Sequence, residues 1–133
     1  MWFFKTPEIV FGEEALAYLE RLEGRRAFIV TDAQVRRLGL VRPVEERLRR
    51  AGFEIDVFDA ITPNPTIDQV RAGADGIRAF QPDWIVAVGG GSVIDAAKAI
   101  WVLFERPDLD PLGISPMEPL GLRRRARLIA VPT

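Results

Sequence analysis

Short unbroken apolar runs alternate along this chain with longer stretches in which apolar residues recur at helical spacing. "EEALAYLERLEG" puts Ala15, Leu16, Leu19 and Leu22 on one face and stops at Gly24, which predicts a helix over 13–24. "RAFIVTD" is a buried strand centred on Phe28, Ile29 and Val30, followed by a polar turn. "VRPVEERLRRAG" returns to helix, with Val44 and Leu48 on one side, arginines on the other and Gly52 at its end. "FEIDVFD" alternates, so Phe53, Ile55 and Val57 share one face of a strand. Beyond the proline-defined loop "ITPNPT", Thr66 is the expected N-cap of a helix through "IDQVRAGADGIRAF", whose Gly73 and Gly76 weaken its middle. "DWIVAV" has the continuous apolar character of a strand covered on both faces. A helix from Ser92 to about Phe104 follows, then the proline-rich loop "ERPDLDPLGISPMEPLG" and a last strand in "ARLIAVPT". Strand and helix in alternation predict an α/β fold: an open parallel sheet with helices on both faces, Rossmann-like, in one domain over 1–133.

Composition narrows the chemistry. At 133 residues the chain suffices for one domain with a real core. Its net charge of −1 gives no general attraction to nucleic acid or to anionic lipid, and neither is expected as a partner. No apolar stretch is long enough to cross a bilayer, and "MWFFKTPEIV" lacks the basic-then-apolar layout of a signal peptide, so the expected compartment is the cytoplasm. There is no cysteine and no histidine. A thiolate nucleophile, a zinc site and a self-contained hydrolytic triad are thereby disfavoured, and neither catalytic nor metal-ligating residues are assigned. The acidic residues are scattered, without the clustered spacing of a metal site.

"VGGGSVIDAAKAI" is the stretch that does not read as ordinary core. Gly89, Gly90 and Gly91 end an apolar strand and run directly into an apolar helix. Ser92 is positioned to cap that helix, and Asp95 three residues later completes an S-x-x-D capping pattern. A first turn with free amides and the positive end of the helix dipole favours an anion, and the lack of side chains lets a pyrophosphate lie against the backbone. The competing explanation is a tight strand-to-helix turn, for which two glycines usually suffice. The spacing matches neither G-x-x-x-x-G-K-[ST] nor a G-x-G-x-x-G that opens a first strand–helix unit.

These residues resemble a known family. "GGGSVIDAAKAI" is similar to the G-G-G-S-x-x-D-x-x-K signature of the iron-containing (group III) alcohol dehydrogenases. "PEIVFGEEAL" resembles the family's N-terminal strand and first helix, "FIVTD" its next strand, "FDAITPNPTIDQV" its P-N-P-T loop, and "IAVPT" a strand that leads into a threonine- and glycine-rich loop. Dehydroquinate synthases and glycerol dehydrogenases share the triple glycine, but the serine with D-x-x-K fits the alcohol dehydrogenases better. The resemblance implies that the chain is the N-terminal NAD(P)-binding domain of a metal-dependent oxidoreductase. Such an enzyme transfers hydride between a small alcohol or aldehyde and a nicotinamide.

By that resemblance Gly89, Gly90, Gly91 and Ser92 hold the pyrophosphate, and Asp95 sits near the ribose or nicotinamide end. Asn64 and Pro65 line the adenosine side, and Thr133 approaches the nicotinamide half. Asp32, at the carboxyl end of its strand, can accept from a ribose 2′-hydroxyl and would repel a 2′-phosphate, which favours NAD over NADP. The competing role for Asp32 is an N-cap or Asx-turn, and for Lys98 an ion pair with Asp95 one helical turn away.

The family's second, helical domain supplies an aspartate and three histidines to a divalent metal, iron or zinc, and nothing of that kind is in this sequence. The expectation is therefore an expressed fragment or a truncated gene product that does not turn over alcohol alone. The alternative is a non-catalytic nucleotide-binding or assembly module derived from the same family. Homo-oligomerisation is left open. "RRRAR", Arg123 to Arg127, reads as a solvated turn or a surface facing the absent domain, and "MWFF" as an edge strand.

Overall fold

The computed structural model describes residues 7–110 and 120–133. Four strands, β1 (Arg26–Val30), β2 (Glu54–Phe58), β3 (Trp84–Gly89) and β4 (Arg127–Pro132), form one sheet in the order β2-β1-β3-β4, with every pairing parallel. The helices are α1 (Ala33–Arg37), α2 (Arg42–Arg50), α3 (Ile67–Phe80) and α4 (Gly91–Glu105), preceded by a 3-10 helix over Ala15–Arg21.

Both faces of the sheet are covered, as the continuous apolar runs require. Phe28, Val30, Ile85 and Ala87 point into one core with Val70, Ala74 and Ile77 of α3 and Val93, Ala97 and Ile100 of α4. Ala27, Ile29, Val86 and Val88 point into the other, with Leu19 of the 3-10 helix, Val35 of α1, and Val44 and Leu48 of α2. Phe53, Ile55 and Val57 join that second core together, as their alternation predicts. The α/β architecture expected from the sequence is the one formed.

Local chemistry explains the element ends. Thr66 caps α3, its Oγ1 accepting the Gln69 amide at 3.2 Å. The two glycines inside α3 are packing residues. A Cβ on Gly73 would lie 3.0 Å from Ile100 Cγ1 and closer still to Ile100 Cδ1, so its absence is what lets α3 and α4 touch. We expect Gly73→Ala to destabilise the fold by about 1–3 kcal/mol despite alanine's better helix propensity, with Gly76→Ala far milder. Urea denaturation of the two variants checks this; equal midpoints would show that the helices are not in register here.

Three expectations are corrected. The helix over 13–24 is a 3-10 helix of seven residues with no side-chain cap, and Leu19 is its only buried residue. The polar turn after β1 contains a short helix, α1, started by Asp32. The strand resembled by "PEIVF" is not formed over Pro7–Phe11, where Phe11 is 89% exposed. "MWFF" and most of the proline-rich loop lie outside the described residues.

Candidate dinucleotide site at the carboxyl edge

β1 hands the chain to α1 and α2 on one face of the sheet, whereas β3 hands it to α4 on the other. Because β1 and β3 are adjacent, their departing chains diverge to opposite faces, the arrangement that opens a crevice at the carboxyl edge of such sheets. This is the topological switch point, where open parallel sheets bind their ligands.

Gly89 closes β3 with φ of +156°, and a Cβ there would lie 2.8 Å from Val93 Cγ2, so only glycine fits. Gly90 and Gly91 differ from it. A Cβ on either would meet no heavy atom within 4 Å, so open space lies beside the bend. The expected cap is corrected at this point: Gly90, not Ser92, is the N-cap of α4, and no side chain caps the helix. Ser92 is already inside the first turn, and its Oγ donates to the Pro63 carbonyl at 2.6 Å. The amide of Ile94 is the first to bond within the helix, to Gly90 O at 3.0 Å. The amides of Gly91, Ser92 and Val93 therefore precede the intrahelical ladder and, with the helix dipole, present positive potential at the crevice.

The other expected residues surround this bend. Asp32 is the N-cap of α1, with Oδ1 accepting the Val35 amide at 2.7 Å; the capping role considered for it is realised, on the rim of the crevice. Asn64 is exposed and Pro65 half-buried on the loop that Ser92 grips. That loop is braced from below, Gln69 Nε2 donating to Thr62 Oγ1 at 3.0 Å. Thr133 follows β4, and its amide donates to Gly89 O at 3.1 Å, which brings it beside the bend. Asp95 and Lys98 are both exposed, and the ion pair considered between them is not formed.

Two contributors escaped the sequence reading. Thr31, fully buried, donates from Oγ1 to Val88 O at 2.7 Å and ties the exits of β1 and β3 together under the crevice. Its signal was a hydroxyl residue directly after an apolar run. The Pro63 carbonyl, 29 positions from its partner, had no local signal at all. Among the described residues no three histidine, cysteine, aspartate or glutamate side chains gather as metal ligands. No described helix is long and apolar enough to cross a membrane.

Comparison with known proteins yields one family. The family described as iron-containing alcohol dehydrogenase matches residues 6–133. The NADPH-dependent butanol dehydrogenase of Clostridium saccharobutylicum is 37% identical over 135 residues, covering 100% of this chain and 35% of that protein. Aldehyde-alcohol dehydrogenase 2 of Entamoeba histolytica is 37% identical over 145 residues, covering 99% of this chain and 17% of its own length. The solved iron-containing alcohol dehydrogenase of Thermococcus thioreducens superposes with a TM-score of 0.85 at 30% identity, over 99% of this chain and 36% of that one. The chain thus spans about a third or less of the length of these relatives.

Proposed function

This chain belongs to the iron-containing alcohol dehydrogenase family, and on that premise we propose that its carboxyl-edge crevice binds a nicotinamide dinucleotide. The observation that carries the reading is the open bend at Gly90 and Gly91, with the unbonded amides of the first turn of α4 beside it. A diphosphate fits this chemistry: two linked anions against several backbone donors, with no side chain in the way. In the reading, Gly89–Ser92 hold the diphosphate. Ser92 also holds the Asn64–Pro65 loop in position against the adenosine. Asp95 and Thr133 lie toward the nicotinamide half.

Asp32 sets the choice of cofactor in this proposal. Its Oδ1 is engaged by the Val35 amide, and a carboxylate so fixed can accept from a ribose 2′-hydroxyl and repels a 2′-phosphate. NAD is therefore favoured, although the butanol dehydrogenase relative is NADPH-dependent by name. The parent reaction is hydride transfer between an alcohol or aldehyde and the nicotinamide, for which a divalent metal polarises the oxygen. The described residues do not offer such a metal site. This chain's share of the reaction is to bind and orient the cofactor.

Calorimetry on the chain tests the reading. NAD and ADP-ribose are expected to bind, and NADP more weakly. Asp32→Gly should narrow the gap between NAD and NADP by about tenfold through loss of like-charge repulsion. If none of the three ligands binds at millimolar concentration, the proposal fails.

A further inference from the structure

The opposite end of the sheet carries a cleft of about 510 Å³ at the amino ends of β3 and β4. About 17 Å of strand separates it from the glycine bend, so it is no part of the crevice described above. Tyr18 and Arg21 line it from the 3-10 helix, Trp84 from the start of β3, and Arg123 and Arg127 from the turn and strand of β4. In a chain of net charge −1, five arginines meet at this one place against two carboxylates, Glu23 and Asp83. Asp83 is already committed, its Oδ2 accepting the Arg25 and Arg26 amides at 2.6 and 3.0 Å. Six other arginines have acidic partners among the described residues, as Arg36 has in Asp59 and Arg47 in Glu20. Arg21, Arg123 and Arg127 have none among the described residues.

The turn that presents these arginines is built, not merely solvated. Glu105, at the C-terminal end of α4 and 7% exposed, accepts three successive backbone amides from it. Its Oε2 takes the Arg124 amide at 3.1 Å, and its Oε1 those of Arg125 and Ala126 at 2.9 and 2.8 Å. A carboxylate at a helix C-terminus opposes the dipole, and this ring of amides offsets that cost. Held in this way, Arg123 takes a left-handed conformation with φ of +72°, uncommon for a residue with a side chain. Trp84 is unavailable as a stacking platform, since Arg127 lies over its ring and its Nε1 donates to Glu23 O. The guanidiniums of Arg21, Arg123 and Arg127, none in an ion pair among the described residues, come from the 3-10 helix, the turn and β4, so one compact anion must offer more than one charged centre to satisfy them.

We propose that this amino-edge cleft is an anion site for a polyphosphate group, two or more linked phosphates, held by Arg21, Arg123 and Arg127. Arginine suits this task through its planar fork of donors. The test is ¹⁵N-resolved titration of the chain with sodium tripolyphosphate at constant ionic strength. Saturable shifts are expected at the amides of 21–24, 84 and 121–127. Arg127→Ala, and Arg123→Ala where it folds, should each weaken binding about tenfold, whereas Arg37→Ala on α1 should not change it. ADP titrated in parallel separates a nucleotide's diphosphate from free polyphosphate, and binding of both supports phosphate recognition. The proposal is overturned by shifts confined to 89–93, by no saturation, by equal weakening in Arg37→Ala, or by binding of ADP without tripolyphosphate. Because Arg127→Ala leaves the turn intact, a folding defect at Arg123 does not decide the matter.

Discussion

Gly90→Val will leave the fold close to its original stability and weaken NAD binding at least about hundredfold, a loss of roughly 2.7 kcal/mol. The asymmetry follows from the geometry of one residue. Gly90 has φ of −84° and ψ of −169°, an extended conformation that a β-branched residue adopts readily. A Cβ there meets nothing within 4 Å. As an N-cap, valine is poorer than glycine, which sets the expected stability cost at about 1 kcal/mol. The isopropyl group would instead fill the space where a diphosphate must approach the amides of α4. Thermal unfolding and calorimetry on the same sample separate the two effects. If the variant titrates with NAD like the parent, the diphosphate lies elsewhere and the proposed site is wrong.

Glu105→Ala is the substitution expected to cost most in stability, about 4 kcal/mol. Three backbone amides would lose their charged acceptor at once, one of them on Ala126, which is buried. Glu105→Gln keeps the shape but turns an NH₂ toward amide donors, so about half that loss is expected. Urea unfolding gives both numbers. A Glu105→Ala variant within 1 kcal/mol of the parent would mean that the turn before β4 holds its conformation without the carboxylate. The arginine cleft would then lose its structural basis.

Sequence and structure agree where the governing interaction is either a face-wide pattern or a contact within one turn. The run in "WIVAV" demanded burial on both sides and "FIV" read as a buried strand, and both strands are internal to the sheet. Thr66 caps α3 because the cap bonds only three residues ahead. Ser92 shows the opposite case. S-x-x-D is the correct spacing for a cap, yet a carbonyl 29 residues away takes the hydroxyl proton, and no local pattern encodes that partner. The stretch 13–24 has helical spacing, but with Leu19 alone buried and no capping side chain it winds as a 3-10 helix. Glu105 sits where an apolar helix meets a charged loop, and there a glutamate normally marks the surface. Only the return of β4 toward that end of α4 makes it an interior residue. Of the proposed site, the glycine bend was legible as chemistry and the other expected residues through family likeness. Their meeting at one edge depends on strand order, which pairs β1 with β3.

The hollow that Gly73 leaves for Ile100 has a thermodynamic corollary. Ile100 packs against α3 where Gly73 has no side chain, and this close contact opposes any roll of α4 that would turn its N-terminal peptide donors. For the dinucleotide proposed at this bend, a helix so held would surrender little conformational entropy on binding, and more of the contact energy would appear as affinity.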